Sequence, residues 1–499
     1  MAEGVDVLFI NPGDRKQIYQ DLGSDYAAIE PPVFAGLFAT YMRVKDKSVA
    51  IYDAPALSAS AAEAARAATE DYKPKLIVIV CYGLQPSAST QNMTAAGDIA
   101  RLIAKTGTDA KVMMTGTHPA ALPELTMKEE AIDFVCDLEG PVTILKTLQA
   151  IENQENDFRK IPSLWSRDDD KIIPPISSEP LLLDLDNEMP GIAWDLLPME
   201  KYRAHNWHSF SDIDNRSPYA AIHTSLGCPY KCHFCCINSP FGKSSYRMWS
   251  PEVVVHEIDH LVSNYGVRNL KFVDEMFVLN KKHVLGICDL LIDRDYEVNI
   301  WAYARVDSVQ DQFLDKLKAA GVNWLCLGIE SASDHVRDGA DKIYGNNEIK
   351  DVVRRIQAAG IYIIGNYIFG LPDDNIERMQ QTFDLALELN CEFANFYSAM
   401  AYPGSPLYDD AVRDKIQLPD TWKDFSQHGY NARPLENKFC SAAEILSFRD
   451  EAFSAHFAHQ PYLDMVKQKF GQEVVEHIKN MAAIPLKRKL LEERSITQK

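Results

Sequence analysis

Cys228, Cys232 and Cys235 stand in one short stretch, Cys228-Pro-Tyr-Lys-Cys232-His-Phe-Cys235, directly after the apolar run Ala220-Ala-Ile-His-Thr-Ser-Leu-Gly227. Three thiolates at this spacing can each hold one iron of a [4Fe–4S] cluster and leave the fourth iron open to a ligand, whereas a structural zinc takes a closed set of four. His233 or Cys236 would have to complete a zinc site. Adjacent cysteines chelate one ion poorly, and no second cysteine pair lies nearby to close a ribbon, so the pattern favours the cluster. An open iron is a place where chemistry can begin.

A loop of this kind needs a rigid frame. From Tyr219 onward, strand-like runs alternate with amphipathic helical stretches: Ala220–Thr224, Asn269–Val273, Val298–Ala302, Trp324–Ile329, Tyr362–Ile368 and Phe393–Ala399. Six such units predict a partial (β/α)6 barrel with its function at the carboxyl ends of the strands. A second alternating region precedes it, with strands expected at Val5–Ile10, Val49–Tyr52, Leu76–Cys81, Val112–Thr115 and Phe134–Asp137. That pattern predicts a parallel, doubly wound sheet, whose ligands sit beyond the carboxyl ends of its strands. The loops there are Asn11-Pro12-Gly13, Tyr82-Gly-Leu-Gln-Pro-Ser87, Gly116-Thr-His118-Pro119 and Glu139-Gly140-Pro141. No G-x-G-x-x-G follows the first strand, so a dinucleotide is a poor fit.

The cysteine loop and the barrel strand ends resemble those of radical S-adenosylmethionine (SAM) enzymes. Together with Glu30-Pro-Pro32, Gly116-Thr-His118-Pro119, Pro123-Glu124 and Glu139-Gly140, the whole is similar to the cobalamin (B12)-binding branch of that family. The resemblance implies a flavodoxin/Rossmann-like cobalamin domain over residues 1–150, a linker over 151–215, the radical SAM barrel over 216–410 and a helical C-terminal cap over 411–499. It implies a [4Fe–4S] cluster on Cys228, Cys232 and Cys235, with SAM on the open iron. Phe234 would pack on adenine, Asp274 and Glu275 would meet SAM's ammonium, and Arg305 would reach SAM or substrate. Glu330 would take the ribose or amine and Lys342 the carboxylate. Asn366–Pro372 and Ala401–Pro406 would grip adenine. Asn11, Pro12, Gly13, Ser87, Gly116, His118, Glu139 and Gly140 would line the cobalamin.

Each of these residues has a plainer reading. Asp274 and Glu275 could cap a helix, Lys342 could be a solvated helix lysine and Phe234 a core aromatic. The stretch after the first strand, from Asn11 to Tyr41, holds no histidine, so the methionine-synthase motif D-x-H-x-x-G is missing and a base-off cobalamin without an imidazole ligand is expected. His118 reads as a solvated or self-capped loop residue. Glu139-Gly-Pro141 departs from the family's E-G-E.

Composition narrows the partners. With 499 residues, almost half of them hydrophobic, the chain can bury large cores, and a formal charge of −20 argues against a nucleic-acid backbone. Lys487-Arg-Lys489, the one basic stretch, reads as a solvated helix end. No apolar run is long enough to span a bilayer, and ten scattered cysteines suit a reducing compartment, so a cytoplasmic protein is expected. The resemblance implies a small-molecule substrate and an electron donor such as flavodoxin or ferredoxin. The leading reaction it implies is methylation of an unactivated carbon: one SAM methylates cob(I)alamin, and a second yields a 5′-deoxyadenosyl radical that abstracts hydrogen. Oxidative cyclisation or rearrangement is the alternative within enzymes. A non-catalytic cobalamin-binding regulator or carrier is the alternative outside them.

Overall fold

The computed structural model describes residues 4–169, 171–342 and 344–497. Two sheets organise it. The first runs in the order β2-β1-β3-β4-β5-β6-β7, formed by β1 (Val7–Asn11), β2 (Val49–Asp53), β3 (Leu76–Val80), β4 (Lys111–Thr115), β5 (Phe134–Cys136), β6 (Leu164–Asp168) and β7 (Lys171–Ile173). Its first five strands pair in parallel, whereas β6 and β7 add antiparallel at the edge. The all-apolar β3, Leu-Ile-Val-Ile-Val, is buried throughout because helices cover both faces. Val7 and Phe9 pack with Phe34, Phe38 and Ile144 on one face; Leu8 and Ile10 meet Met93, Ala96 and Ile99 on the other. After Ile151 the sequence predicts a wrapping linker with short strands, and two strands form there, β6 and β7. They extend this sheet, since β5 presents an open edge that the β6–β7 hairpin satisfies.

The second sheet has six parallel strands in the order β15-β14-β13-β12-β11-β8 and forms the partial (β/α)6 barrel. Its strands are β8 (Tyr219–Ile222), β11 (Asn269–Phe272), β12 (Asn299–Arg305), β13 (Val322–Glu330), β14 (Tyr362–Phe369) and β15 (Phe393–Ser398). Between β8 and β11 a short antiparallel pair, β9 (Ser225–Leu226) with β10 (Arg247–Met248), brackets the cysteine loop. Local signals set the helices. The one over Pro251–Tyr265 opens on Ser250, whose side chain accepts from the Val253 N–H, carries Pro251 at its first turn, and ends at Gly266 with φ of 65°.

Helices Ala442–Ala458, Gln460–Phe470 and Gln472–Ala482 close the amino-terminal end of the barrel. There Phe457, Tyr462 and Ile478 pack with Trp207, Trp301 and Trp324. The basic stretch near the end is not a solvated helix end throughout: Arg488 is buried, held by both carboxylate oxygens of Asp450 and by the Gly429 carbonyl. Among the described residues no helix is long and apolar enough to cross a membrane.

Candidate functional site

The carboxyl ends of the two sheets face each other, and the cysteine loop lies between them. Gly227, with φ of +84°, turns the chain out of β9 into the loop; a Cβ there would stand 2.7 Å from the Ser245 carbonyl oxygen. The Cys235 N–H donates to the Cys232 carbonyl at 3.0 Å, which folds the last turn of the motif. Cys228 lies near Cys232, and Cys232 near Cys235, close enough for thiolate charges to repel; burial pushes the Cys228 thiol up to about 12. Cationic iron reverses that cost. Among the described residues no three His, Cys, Asp or Glu side chains converge on a single ion. A cluster asks instead for one thiolate per iron, and three thiols spread along one loop supply that donor set. Cys236 is buried behind the loop, with burial raising its thiol to about 12.

Arg305, at the end of β12, reaches this loop. Its Nη1 donates to Cys232 Sγ at 3.6 Å, its guanidinium lies 3.9 Å from the Tyr230 ring centroid, and Asp307 holds it at 2.9 Å. The expectation that Arg305 grips SAM or substrate thus meets a residue already engaged with the cluster ligand. Lys342 lies in the loop after the helix Asp334–Gly339, not on a helix. It is buried and paired with Glu330, and stands 5.8 Å from the Phe234 ring. Glu330 itself takes φ of 64°. A buried pair beside Phe234 and the cysteine loop is a site, not solvent decoration.

The acidic pair divides. Asp274 is consumed: Oδ1 accepts from the Thr224 N–H at 2.6 Å, and Oδ2 from the Thr224 and Ser225 hydroxyls at 2.6 and 2.5 Å. It locks β11 to the turn before the cluster loop. Glu275 makes no such bond; burial pushes its carboxyl up to about 8, despite the Lys271 ammonium. It lines a narrow cleft between the sheets with Phe34, Tyr82, Thr117, His223 and Phe241. Neither ring nitrogen of His223 has a hydrogen-bond partner among the described residues, and burial lowers this histidine to about 3. The sequence carries one signal for it, a polar residue inside the apolar run Ala220–Leu226.

On the first sheet, glycines shape a cradle. Gly116 takes φ of +145°, and a Cβ there would sit 2.2 Å from the Cys81 carbonyl oxygen; Gly140 takes φ of +117° beside Thr115. Among the described residues, no hydrogen bond within 3.5 Å reaches the buried Thr115 hydroxyl. A ligand with polar groups at its edge suits such an orphaned hydroxyl and backbone-walled space. Gly13 lines a cleft of about 680 Å³ with Pro55, Ser60, Thr94 and Lys423. Pro12 is buried at its side, and Ser87 lies near Tyr402 of the barrel.

Three expected cobalamin residues have other partners. The Asn11 side chain donates to Asp53 at 2.9 Å, and the Tyr202 hydroxyl holds the same carboxylate at 2.8 Å. His118 is fully buried against Trp422, its Nδ1 3.3 Å from the Thr90 hydroxyl, and burial lowers it to about 3. It is therefore not the solvated loop residue expected, because the helix Pro86–Lys105 and the C-terminal region cover it. Glu139 pairs with Arg247 on β10, at 2.8 and 3.0 Å, and accepts from the Leu182 N–H at 3.2 Å. Nothing in the local sequence marked Arg247 as its partner.

Residues 222–386 match the Radical SAM superfamily and residues 20–146 the B12 binding domain. An uncharacterized methyltransferase of Pyrococcus horikoshii is 28% identical over 423 residues, covering 84% of this chain and 86% of its own. An anaerobic magnesium-protoporphyrin IX monomethyl ester cyclase of Rubrivivax gelatinosus is 24% identical over 422 residues, covering 83% and 71%. Among solved structures, the radical SAM methyltransferase TsrM of Kitasatospora setae, with cobalamin and a [4Fe–4S] cluster bound, matches with a TM-score of 0.67 at 15% identity over 91% of this chain and 89% of its own. At that identity the likeness is one of fold.

Proposed function

We propose, for a chain that belongs to the cobalamin-binding radical SAM enzymes, that it moves a methyl group from SAM to an unactivated carbon of a small molecule inside the barrel. The observation that carries the reading is the cysteine loop set at the carboxyl ends of both sheets, with a glycine cradle on one side and the barrel mouth on the other. When bound, the cluster supplies the electron that cleaves SAM and the cobalamin carries the methyl group.

The chain's own residues bind, orient and exclude water. Cys228, Cys232 and Cys235 hold the cluster, and Arg305 stabilises the Cys232 sulfur through its N–H. Glu275, whose carboxyl has no hydrogen-bond partner among the described residues, meets the SAM ammonium, while Lys342 and Glu330 beside Phe234 hold SAM's polar groups and adenine. Gly116, Gly140 and Thr115 approach the corrin, and the cleft at Gly13 takes its nucleotide tail. Asn11, His118 and Glu139 act one step back, by fixing the loops. The segment boundaries at about residues 150, 215 and 410 follow the same division. A reduced flavodoxin or ferredoxin supplies the electrons, and the site of action is the cytoplasm.

The test uses anaerobically reconstituted protein with SAM carrying a deuterated methyl group. Formation of 5′-deoxyadenosine, S-adenosylhomocysteine and a product heavier by the labelled methyl supports the reading. Turnover of SAM to 5′-deoxyadenosine with no S-adenosylhomocysteine would instead support the cyclase reaction named for the Rubrivivax relative.

A further inference from the structure

The strand phases sort the inside of the barrel from its outside. Ala302, Leu325, Ile363, Tyr367 and Phe396 pack into the core beneath the outer helices. Tyr303, Cys326, Asn366, Asn395 and Tyr397, one residue out of phase, therefore face the lumen. Below them Trp301, Trp324, Ile364 and Phe393 form an apolar floor with Trp207 and Tyr462. The level above the floor is polar.

There the Asn395 Nδ2 donates to Asn366 Oδ1 at 2.9 Å, and the Asn366 Nδ2 reaches Cys326 Sγ at 2.9 Å. Gln85, from the loop after β3, donates to the Tyr303 hydroxyl at 3.2 Å and so ties this row to the first sheet. Tyr303, Asn366, Asn395 and Tyr397 all keep part of their surface open. Among the described residues, neither Asn395 Oδ1 nor the Tyr397 hydroxyl has a hydrogen-bond partner. Lys271 is paired at this depth: it is buried with its Nζ 3.0 Å from Glu30, against the Trp301 ring at 4.6 Å, and Glu30 also takes the Tyr219 hydroxyl at 3.2 Å; Glu275, which also acts on Tyr303, is the carboxyl assigned above to the SAM ammonium.

We infer that the Tyr303–Asn366–Asn395–Tyr397 row is the substrate wall, and that its ligand is a small molecule whose entering end is uncharged and carries a hydrogen-bond donor beside an acceptor, as in a hydroxylated or amide compound. The inference rests on the methyl-transfer reading. A donor on the ligand meets Asn395 Oδ1, and an acceptor meets the Tyr397 O–H. A hydrocarbon in the same space would strip water from both groups and return nothing; a site built to bond a polar group rejects the analogue lacking it by about 10⁴–10⁵-fold. An ionic end would have to compete with Glu30 for Lys271, or with Lys271 for Glu30.

The experiment gives the holoenzyme SAM with a deuterated methyl group and, as probes, the two phases of a chloroform–methanol–water extract of bacterial cells. Label is expected in compounds that carry an uncharged hydroxyl or amide end, identified by mass spectrometry in whichever phase holds them, falling at least about tenfold for Asn395→Leu and for the milder Tyr397→Phe, with iron and cobalamin content as in wild type. Label entering only pure hydrocarbons or only compounds without such an uncharged group overturns the inference, as does undiminished labelling by both variants. No label in either phase, with 5′-deoxyadenosine still formed, overturns the methyl-transfer reading and the inference with it.

Discussion

Removing the Arg247 guanidinium tests how the two sheets are held together. Arg247 and Glu139 leave 8% and 1% of their side chains exposed, and the pair joins β10 of the barrel to the loop after β5. Both carboxylate oxygens are engaged, and Nη1 also donates to the Leu182 carbonyl at 2.5 Å. In Arg247→Met the Glu139 carboxylate would keep only the Leu182 N–H. Breaking a buried pair on one side costs about 3–5 kcal/mol, because the remaining charge stays desolvated. That corresponds to roughly two to three and a half decades in the unfolding equilibrium. The assay is urea unfolding of the apoprotein, followed by circular dichroism and tryptophan fluorescence. Arg247→Met with Glu139→Leu should recover most of the loss, since two apolar groups leave no orphan charge. A cost for Arg247→Met below about 1 kcal/mol, the level of an exposed ion pair, would refute the reasoning. Lost cobalamin binding by Glu139→Gln at full stability would show that Glu139 meets the cofactor directly.

Changing Cys228, Cys232 or Cys235 to Ala should abolish iron–sulfur absorbance and SAM cleavage, whereas Cys236→Ala keeps both; SAM cleavage by Cys232→Ala would remove the ligand assignment. Glu275→Gln should weaken SAM binding roughly ten- to hundred-fold at full iron content, because a charge-assisted hydrogen bond is worth about 1.5–3 kcal/mol; equilibrium dialysis with labelled SAM measures it. Burial raises the Glu257 carboxyl from 4.5 to about 7, although the Ile192 and Trp194 N–H groups favour its ionised form. Its contribution to stability is therefore fully present below pH 4.5 and lost as pH rises to about 7, roughly 3 kcal/mol in all, and Glu257→Gln should flatten the urea midpoint across that window. Electron paramagnetic resonance of protein loaded with cob(II)alamin should show no axial nitrogen splitting, since His118 is turned into the core; if splitting appears, its loss in His223→Phe would identify the ligand.

Much of this protein is legible from local sequence. The cysteine spacing alone separates a cluster loop from a zinc site, because metal ligation by one loop is decided by residues a few positions apart. Apolar runs broken by amphipathic stretches gave both sheets, with β3 and β13 within a few residues of their expected ends, since strand period and helix period are properties of neighbouring residues. Partnering over long separations is another matter. Asp274 and Glu275 are adjacent in sequence, yet one is spent on Thr224 and Ser225 and the other faces the cleft, because the chain turns just beyond the end of β11. Arg247 meets Glu139 across 108 positions, and Lys271 meets Glu30 across 241. His118 is buried because the helix Pro86–Lys105 and Trp422, more than 300 positions away, both cover it. Which polar groups are consumed by the fold and which remain free for a ligand depends on what packs against them, and that is settled only when distant segments meet.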